Sequence, residues 1–320
     1  MNDGKGPASE LLKSTTGTPQ QPKENVAVSE NKQPEQSAKL QERKKVVDFS
    51  QQFYCDALND SNINTIVDGQ QINVIVLVGF VGYGKTTFAG SLYYRLLTNL
   101  AYHGLRFIDS DTYAGHERRL AIRTLKTPID ADTKRTIKGE DHILALTLQD
   151  EADGTISKVV ISDRSGEDYD DYTGQADDME SDALLKVADT VVFFIDTEAL
   201  MKSSYTIEYN YGLLLDGINQ HDILTEGCRV ILAFNKHDTV KDDMTQQFQQ
   251  KSQTVENLFK SKLTGREITV KNIDSTGASD DFASVDALAK LLLTESASES
   301  DSELEELDWV NARLKALKHE

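Results

Sequence analysis

The stretch Gly79-Phe80-Val81-Gly82-Tyr83-Gly84-Lys85-Thr86 constrains this chain more than any other feature, because it fits GxxxxGK[ST] and stands directly behind the apolar run Ile72 to Val78. A strand that ends in such a loop and then opens a helix marks a phosphate-binding turn. The glycines let the backbone fold back, so that successive amides point inward at phosphate oxygens. The helix expected from Lys85 to about Leu97 adds the positive end of its dipole. Gly79, Gly82, Tyr83, Gly84, Lys85, Thr86 and Thr87 are therefore the candidate phosphate-binding residues. Lys85 is expected to reach the β- and γ-phosphates, and the Thr86 hydroxyl to coordinate Mg²⁺.

Strands and helices alternate downstream of this loop. Apolar runs at Leu105 to Ile108, His142 to Leu148, Ile156 to Ser162, Thr190 to Ile195, Arg229 to Phe234 and Ile268 to Ile273 read as strands. Helical stretches fall at Tyr113 to Leu125, Ser181 to Ala188, Tyr205 to Asn219, Asp242 to Lys262 and Phe282 to Leu293. The Asp153-Gly154 pair marks a hairpin between the second and third of those strands. Alternation around a phosphate loop predicts an α/β, three-layer P-loop fold: a mainly parallel sheet with one antiparallel hairpin and helices on both faces.

Residues 1–44 carry no aromatic and few β-branched side chains, which predicts a disordered polar tail. A helix is expected from Leu40 to Leu58, and the P-loop domain from 45 to 295. Residues 296–320 read as an acidic linker and an amphipathic helix. Leu304, Leu307, Val310, Leu314 and Leu317 share one side of it, Ser302 and Glu305 make a capping box, and Arg313, Lys315 and Lys318 fill its last turn.

A net charge of −19 repels phosphate backbones and anionic lipid, so neither nucleic acid nor membrane is expected as a partner. The longest apolar run, Val74 to Val81, is too short to cross a bilayer, and the start of the chain has no secretory core and no myristoylation glycine. A cytoplasmic protein is expected. Cys55, in an expected helix, and Cys228, opening an expected strand, suit two reduced, mostly buried thiols, and a structural zinc site lacks its ligands.

Three further patterns follow the phosphate loop in order. Asp163-Arg164-Ser165-Gly166 is a DxxG at the carboxyl end of a strand, where Asp163 is expected to hold Mg²⁺ through water and the Gly166 amide to sense the γ-phosphate. Asn235-Lys236-His237-Asp238 is an NKxD behind the next such strand but one. The Asp238 carboxylate can accept from guanine N1–H and the N2 amine together, whereas adenine offers a lone pair at N1 and no amine at C2. Lys236 is expected to lay its stem on the base, Asn235 to tie this loop to the phosphate loop, and His237 to be a solvated spacer. The small-residue loop Asp274 to Ser279 places Ala278 where a backbone amide would meet guanine O6.

Together these motifs resemble the TRAFAC class of GTPases with a Ras-like fold, over about Gln71 to Leu293. Gly84-Lys85-Thr86-Thr87-Phe88 with Tyr93-Tyr94, the stretch Phe107 to Ala121 and the Gly166-Glu167 pair are similar to bacterial double-GTPase proteins. The resemblance implies GTP or GDP with Mg²⁺ as ligands. It also implies a first-switch threonine on Mg²⁺, for which Thr133 and Thr136 both qualify, with Arg135 between them as a candidate arginine finger. Where many Ras-like members carry Gln to orient water, this chain has Glu167, which accepts but cannot donate. Val81 replaces a phosphate-loop glycine, where a larger side chain obstructs an inserted arginine.

A GTP-binding switch with slow Mg²⁺-dependent hydrolysis is expected, with Lys85, Glu167, Thr136 and Thr133 as candidate catalytic residues and Thr86, Asp163 and Thr136 on the metal. The acidic run Glu167 to Asp182 is expected to be a mobile second switch, and a protein effector to dock through the switch loops and terminal helix. Two alternatives remain open: a guanine-nucleotide-binding interaction module without useful turnover, and an ATP-dependent P-loop enzyme.

Overall fold

The computed structural model describes residues 55–66, 71–120, 136–139, 141–294 and 313. The expected tail, the end of the expected helix from Tyr113 to Leu125, Thr133, Arg135, most of the expected helix from Leu40 to Leu58 and all of residues 295–320 except Arg313 lie outside the described residues.

Seven strands form one sheet: β1 (Gln71–Val78), β2 (Leu105–Asp109), β3 (Ile143–Asp150), β4 (Ile156–Ser162), β5 (Thr190–Asp196), β6 (Arg229–Asn235) and β7 (Ile268–Ile273). Their order is β2-β3-β4-β1-β5-β6-β7. β1 pairs in parallel with β4 and β5, and β5, β6 and β7 continue in parallel. The β3–β4 hairpin is antiparallel, as its turn predicts, and β2 adds itself antiparallel to the outer side of β3. The fold is α/β, with one reversed strand in a parallel sheet.

Period-2 alternation of apolar residues sorts the core into two layers. From β1, Val74, Val76 and Val78 face α3 (Gly166–Gly174), α4 (Ala183–Lys186), α5 (Thr197–Lys202), α6 (Ser204–Gln220) and α7 (Thr245–Lys262), meeting Tyr169, Leu184, Leu200, Tyr211 and Phe259. Ile75 and Leu77 face the other way, toward α1 (Lys85–Thr98), α2 (Tyr113–Leu120) and α8 (Ala283–Thr294), and share a cluster with Phe88, Leu92, Leu120 and Leu288. Each such side chain removed from water contributes about 1.5–3 kcal/mol, so the apolar run ahead of the phosphate loop also pins its first residue. Among the described residues no helix is long and apolar enough to cross a membrane.

Four expectations about the fold need correction. The acidic run from Glu167 is not an open loop: Ser165 caps α3, and Tyr169, Tyr172 and Met179 turn inward into the core. Apolar residues three apart are enough to seat a helix whose other faces are carboxylates. Cys228 is buried, which raises its thiol pKa to about 12, but Cys55 is exposed. Its φ of 61° places it in a turn, so the expected helix does not reach Leu58. Finally, α5 directly follows β5, where no helix is expected from the sequence. Asp196 caps it by accepting from Ala199 N at 3.0 Å.

Candidate functional site

The phosphate loop, Asp163-Gly166, Asn235-Asp238 and Asp274-Ser279 all leave the carboxyl ends of strands β1, β4, β6 and β7. Gly82 and Gly84 have φ of 81° and 87°, the left-handed region open to glycine. A Cβ on Gly84 would overlap the Asn235 amide nitrogen. The buried Lys85 ammonium turns back to donate to Gly79 O, approaches Phe80 O at 3.4 Å and lies 5.4 Å over the Tyr169 ring. Burial lowers its pKa to about 8, against the pull of the Asp163, Asp170 and Asp168 carboxylates.

Four side chains from four separate segments converge beside this lysine. Thr86 Oγ1 is 3.1 Å from both Thr136 Oγ1 and Asp163 Oδ1, and Thr136 Oγ1 is 3.1 Å from Asp163 Oδ2. The fourth is Arg119 of α2, whose Nε donates to Asp163 Oδ2 at 2.8 Å. Asp163 itself is fully buried, and its amide donates to His142 O at 2.9 Å. Two threonine hydroxyls and a carboxylate are hard oxygen donors of the kind that could hold Mg²⁺. Among the described residues no group of three or more His, Cys, Asp or Glu is placed to hold a metal ion.

Gly166 opens α3 against the phosphate loop. A Cβ there would sit 2.5 Å from the Phe80 carbonyl carbon and 2.6 Å from Val81 Cα. Glycine is therefore what lets the DxxG backbone touch the loop. Glu167 lies half-buried in the first turn of α3, its amide donating to Ser165 Oγ at 3.3 Å. Arg164 points the other way, pairing with Asp60 at 2.8 Å and Asp182 at 3.0 Å.

At the other end Asn235 joins three loops. Its Nδ2 donates to Tyr83 O at 2.8 Å, and its Oδ1 accepts from Ser275 N at 3.0 Å. Lys236, at φ 58°, donates to Asp196 Oδ2 at 2.6 Å, which holds its stem along the floor between β5 and β6. Asp238 is exposed, and its pKa is raised by partial burial and by the Asp274 and Asp280 carboxylates. Asp274 shapes the last loop by accepting from Thr276 N at 2.8 Å and from Ser279 N at 3.0 Å. Ala278 is exposed on that loop, its amide 3.2 Å from Thr276 Oγ1. His237 is not a solvated spacer: it is half-buried, with its ring edge-on to Phe248 at 4.9 Å.

The structure thus gathers Lys85, Thr86, Thr136, Asp163 and Gly166 at one place along the carboxyl edge of the sheet and Asn235, Lys236, Asp238 and Ala278 at another. Thr133 lies outside the described residues. Arg119 and Asp196 belong to no motif and are legible only weakly: Arg119 follows the buried His116 on one helix, and Asp196 ends a strand on the ligand side of the sheet.

The model of the Double-GTPase 2 family matches residues 73–296, more than half the chain. No curated protein matches it in sequence. Among solved structures, bacterial selenocysteine-specific elongation factor EF-Sec is similar at 14% identity and a TM-score of 0.35, over 68% of this chain and 29% of that one. The S. cerevisiae Ski7 GTPase-like domain, bound to GDP and inorganic phosphate, is similar at 12% identity and a TM-score of 0.41, over 78% of this chain and 50% of that one. The chain spans half or less of the length of either structure.

Proposed function

The chain belongs to the Double-GTPase 2 family, and from that premise we propose a guanine-nucleotide switch that slowly hydrolyses GTP to GDP and phosphate with Mg²⁺. The observation that carries this reading is the meeting of Thr86, Thr136 and Asp163 at 3.1 Å beside the buried Lys85. When bound, the ion neutralises charge on the β- and γ-phosphates. Lys85 and the amides of Gly82 to Thr87 orient the polyphosphate, so that most of the rate enhancement comes from positioning and electrostatics. Thr136 and Gly166 report on the γ-phosphate from two sides. Their segments, 136–139 and α3, are the elements whose positions depend on it. Glu167 can accept a hydrogen bond from water at the γ-phosphate but cannot donate one, and its charge opposes the phosphate, so turnover is slow. The readout is a protein partner, since the overall charge of −19 disfavours nucleic acid.

A single-turnover assay decides between this and a binding module without chemistry. Phosphate release from GTP is expected to depend on Mg²⁺ and to stop with chelator. Tight GTP binding with no release above background would favour the module.

Lys85 makes a second test through pH. Its proton leaves the free protein at about 8, whereas bound phosphates hold that proton to higher pH. Above about 8 the free protein must therefore take up a proton to bind, and GDP affinity should fall by up to about tenfold per pH unit. Folding stability runs in the opposite sense. The unfolded chain keeps its lysine proton up to the ordinary 10.5, so it binds more protons than the folded state in that window. The stability of the nucleotide-free protein should rise there with pH. Fluorescent-GDP titrations and denaturant melts over about pH 7 to 9.5 check both signs; parallel changes would overturn the assignment to Lys85.

A further inference from the structure

Arg119 stands outside every motif, yet its guanidinium is the closest charged partner of Asp163 among the described residues, Nε to Oδ2 at 2.8 Å with both side chains buried. Its Nη1 donates to Gly115 O at 2.9 Å, which fixes the plane of the group. The backbone beneath is equally fixed. A Cβ on Gly90 of α1 would lie 2.7 Å from Arg119 O, and one on Gly115 would lie 2.7 Å from Ala57 N, so α2 is wedged between α1 and the residues before β1. The arginine therefore reaches Asp163 from a rigid support and not as a wandering loop residue.

This carboxylate already takes Thr86 on one oxygen and Thr136 and Arg119 on the other. If it also anchors a divalent ion, as the reading above holds, two cations claim one buried aspartate. In a site of low dielectric that juxtaposition weighs on the metal far more than on the surface.

We propose that Arg119 is a positioning residue that holds the Asp163 carboxylate in place and, by its charge, weakens the grip of Mg²⁺ there, so that bound nucleotide exchanges faster than it would without this arginine. The inference rests on the function proposed above. Removing the charge while keeping a donor should tighten the metal, whereas a merely structural arginine would loosen it when removed.

The test uses the full chain loaded with a fluorescent GDP analogue and titrated with Mg²⁺. Arg119→Gln is expected to lower the half-saturating Mg²⁺ concentration by on the order of tenfold and to slow GDP release at limiting Mg²⁺ by a similar factor. Arg119→Lys, which keeps the charge, should stay near wild type. An unchanged or raised Mg²⁺ requirement in Arg119→Gln would overturn the inference. Should that variant fail to fold, Arg119→Met, which removes charge and donor together, takes its place; the lost charge outweighs the lost donor, so a lowered Mg²⁺ requirement is again expected, and an unchanged or raised one again overturns the inference. Wild-type protein that retains GDP without regard to Mg²⁺ would instead overturn the function proposed above, a result distinguishable from failure at Arg119 alone.

Discussion

Asp238→Asn should exchange guanine for xanthine. The Asp238 carboxylate has two acceptor oxygens for two guanine donors, N1–H and the N2 amine, and a hydrogen bond to a charged group contributes about 1.5–3 kcal/mol. An asparagine keeps the acceptor for N1–H and turns its NH₂ toward position 2, where guanine presents a second donor and xanthine a carbonyl. GDP affinity should therefore fall by on the order of tenfold to a hundredfold, while xanthosine diphosphate gains by a comparable factor. The surroundings sharpen the expectation. Asp238 is raised in pKa by partial burial and by the Asp274 and Asp280 carboxylates nearby, so the amide relieves repulsion and the fold should not suffer. Lys236, held by Asp196 at 2.6 Å, stays beneath the base in either case. Competition between the two diphosphates for labelled nucleotide measures the swap. Unchanged selectivity would remove Asp238 as the base-reading residue, and wild-type binding of ATP at GDP-like concentrations would remove the guanine assignment itself.

What could be read from the sequence is what local backbone chemistry enforces. Gly82, Gly84, Lys85 and Thr86 lie within one turn of chain, so their spacing alone states the loop, and the strands before them announce themselves by apolar runs. Order along the chain then places DxxG and NKxD on the same edge of the sheet. What stayed hidden are contacts between distant residues: Arg119 with Asp163, 44 positions apart, and Lys236 with Asp196, 40 apart. No periodicity reports such pairs. The helix at the start of the acidic run was missed for a different reason. Its carboxylates outnumber its apolar residues, yet Tyr169 and Tyr172, three apart, are nearly inaccessible and decide the structure by burying one stripe. Counting charge is a poor guide where two aromatic side chains suffice to anchor a turn of helix.

Gly166→Ala should separate nucleotide binding from turnover. The added methyl would stand 2.5 Å from the Phe80 carbonyl carbon and 2.6 Å from Val81 Cα, and both are backbone atoms with no rotamer to yield. One of two walls must move. The phosphate loop is knitted to its surroundings by Asn235 through Tyr83 O and by the Lys85 ammonium through Gly79 O. By contrast, α3 is held at this end by the Ser165 cap and by Tyr169, whose hydroxyl donates to Leu77 O at 3.1 Å. The helix should therefore give way, withdrawing the Gly166 amide and Glu167 from the γ-phosphate while leaving the diphosphate cradle in place. Forcing one methyl into such a contact costs about 1–3 kcal/mol of folding stability. Loss of a preorganised donor to the transferring phosphoryl group lowers the rate by about a hundredfold or more. GDP affinity, set by the loop and by Asn235 to Asp238, should change by no more than about threefold, a margin under 1 kcal/mol. Single-turnover phosphate release and GDP titration on the same preparation test the separation. If turnover stays close to wild type, α3 does not act at the γ-phosphate. If GDP affinity collapses together with turnover, the loop is the softer wall, and the coupling between DxxG and the phosphate cradle is tighter than the hydrogen bonds around Asn235 and Lys85 imply.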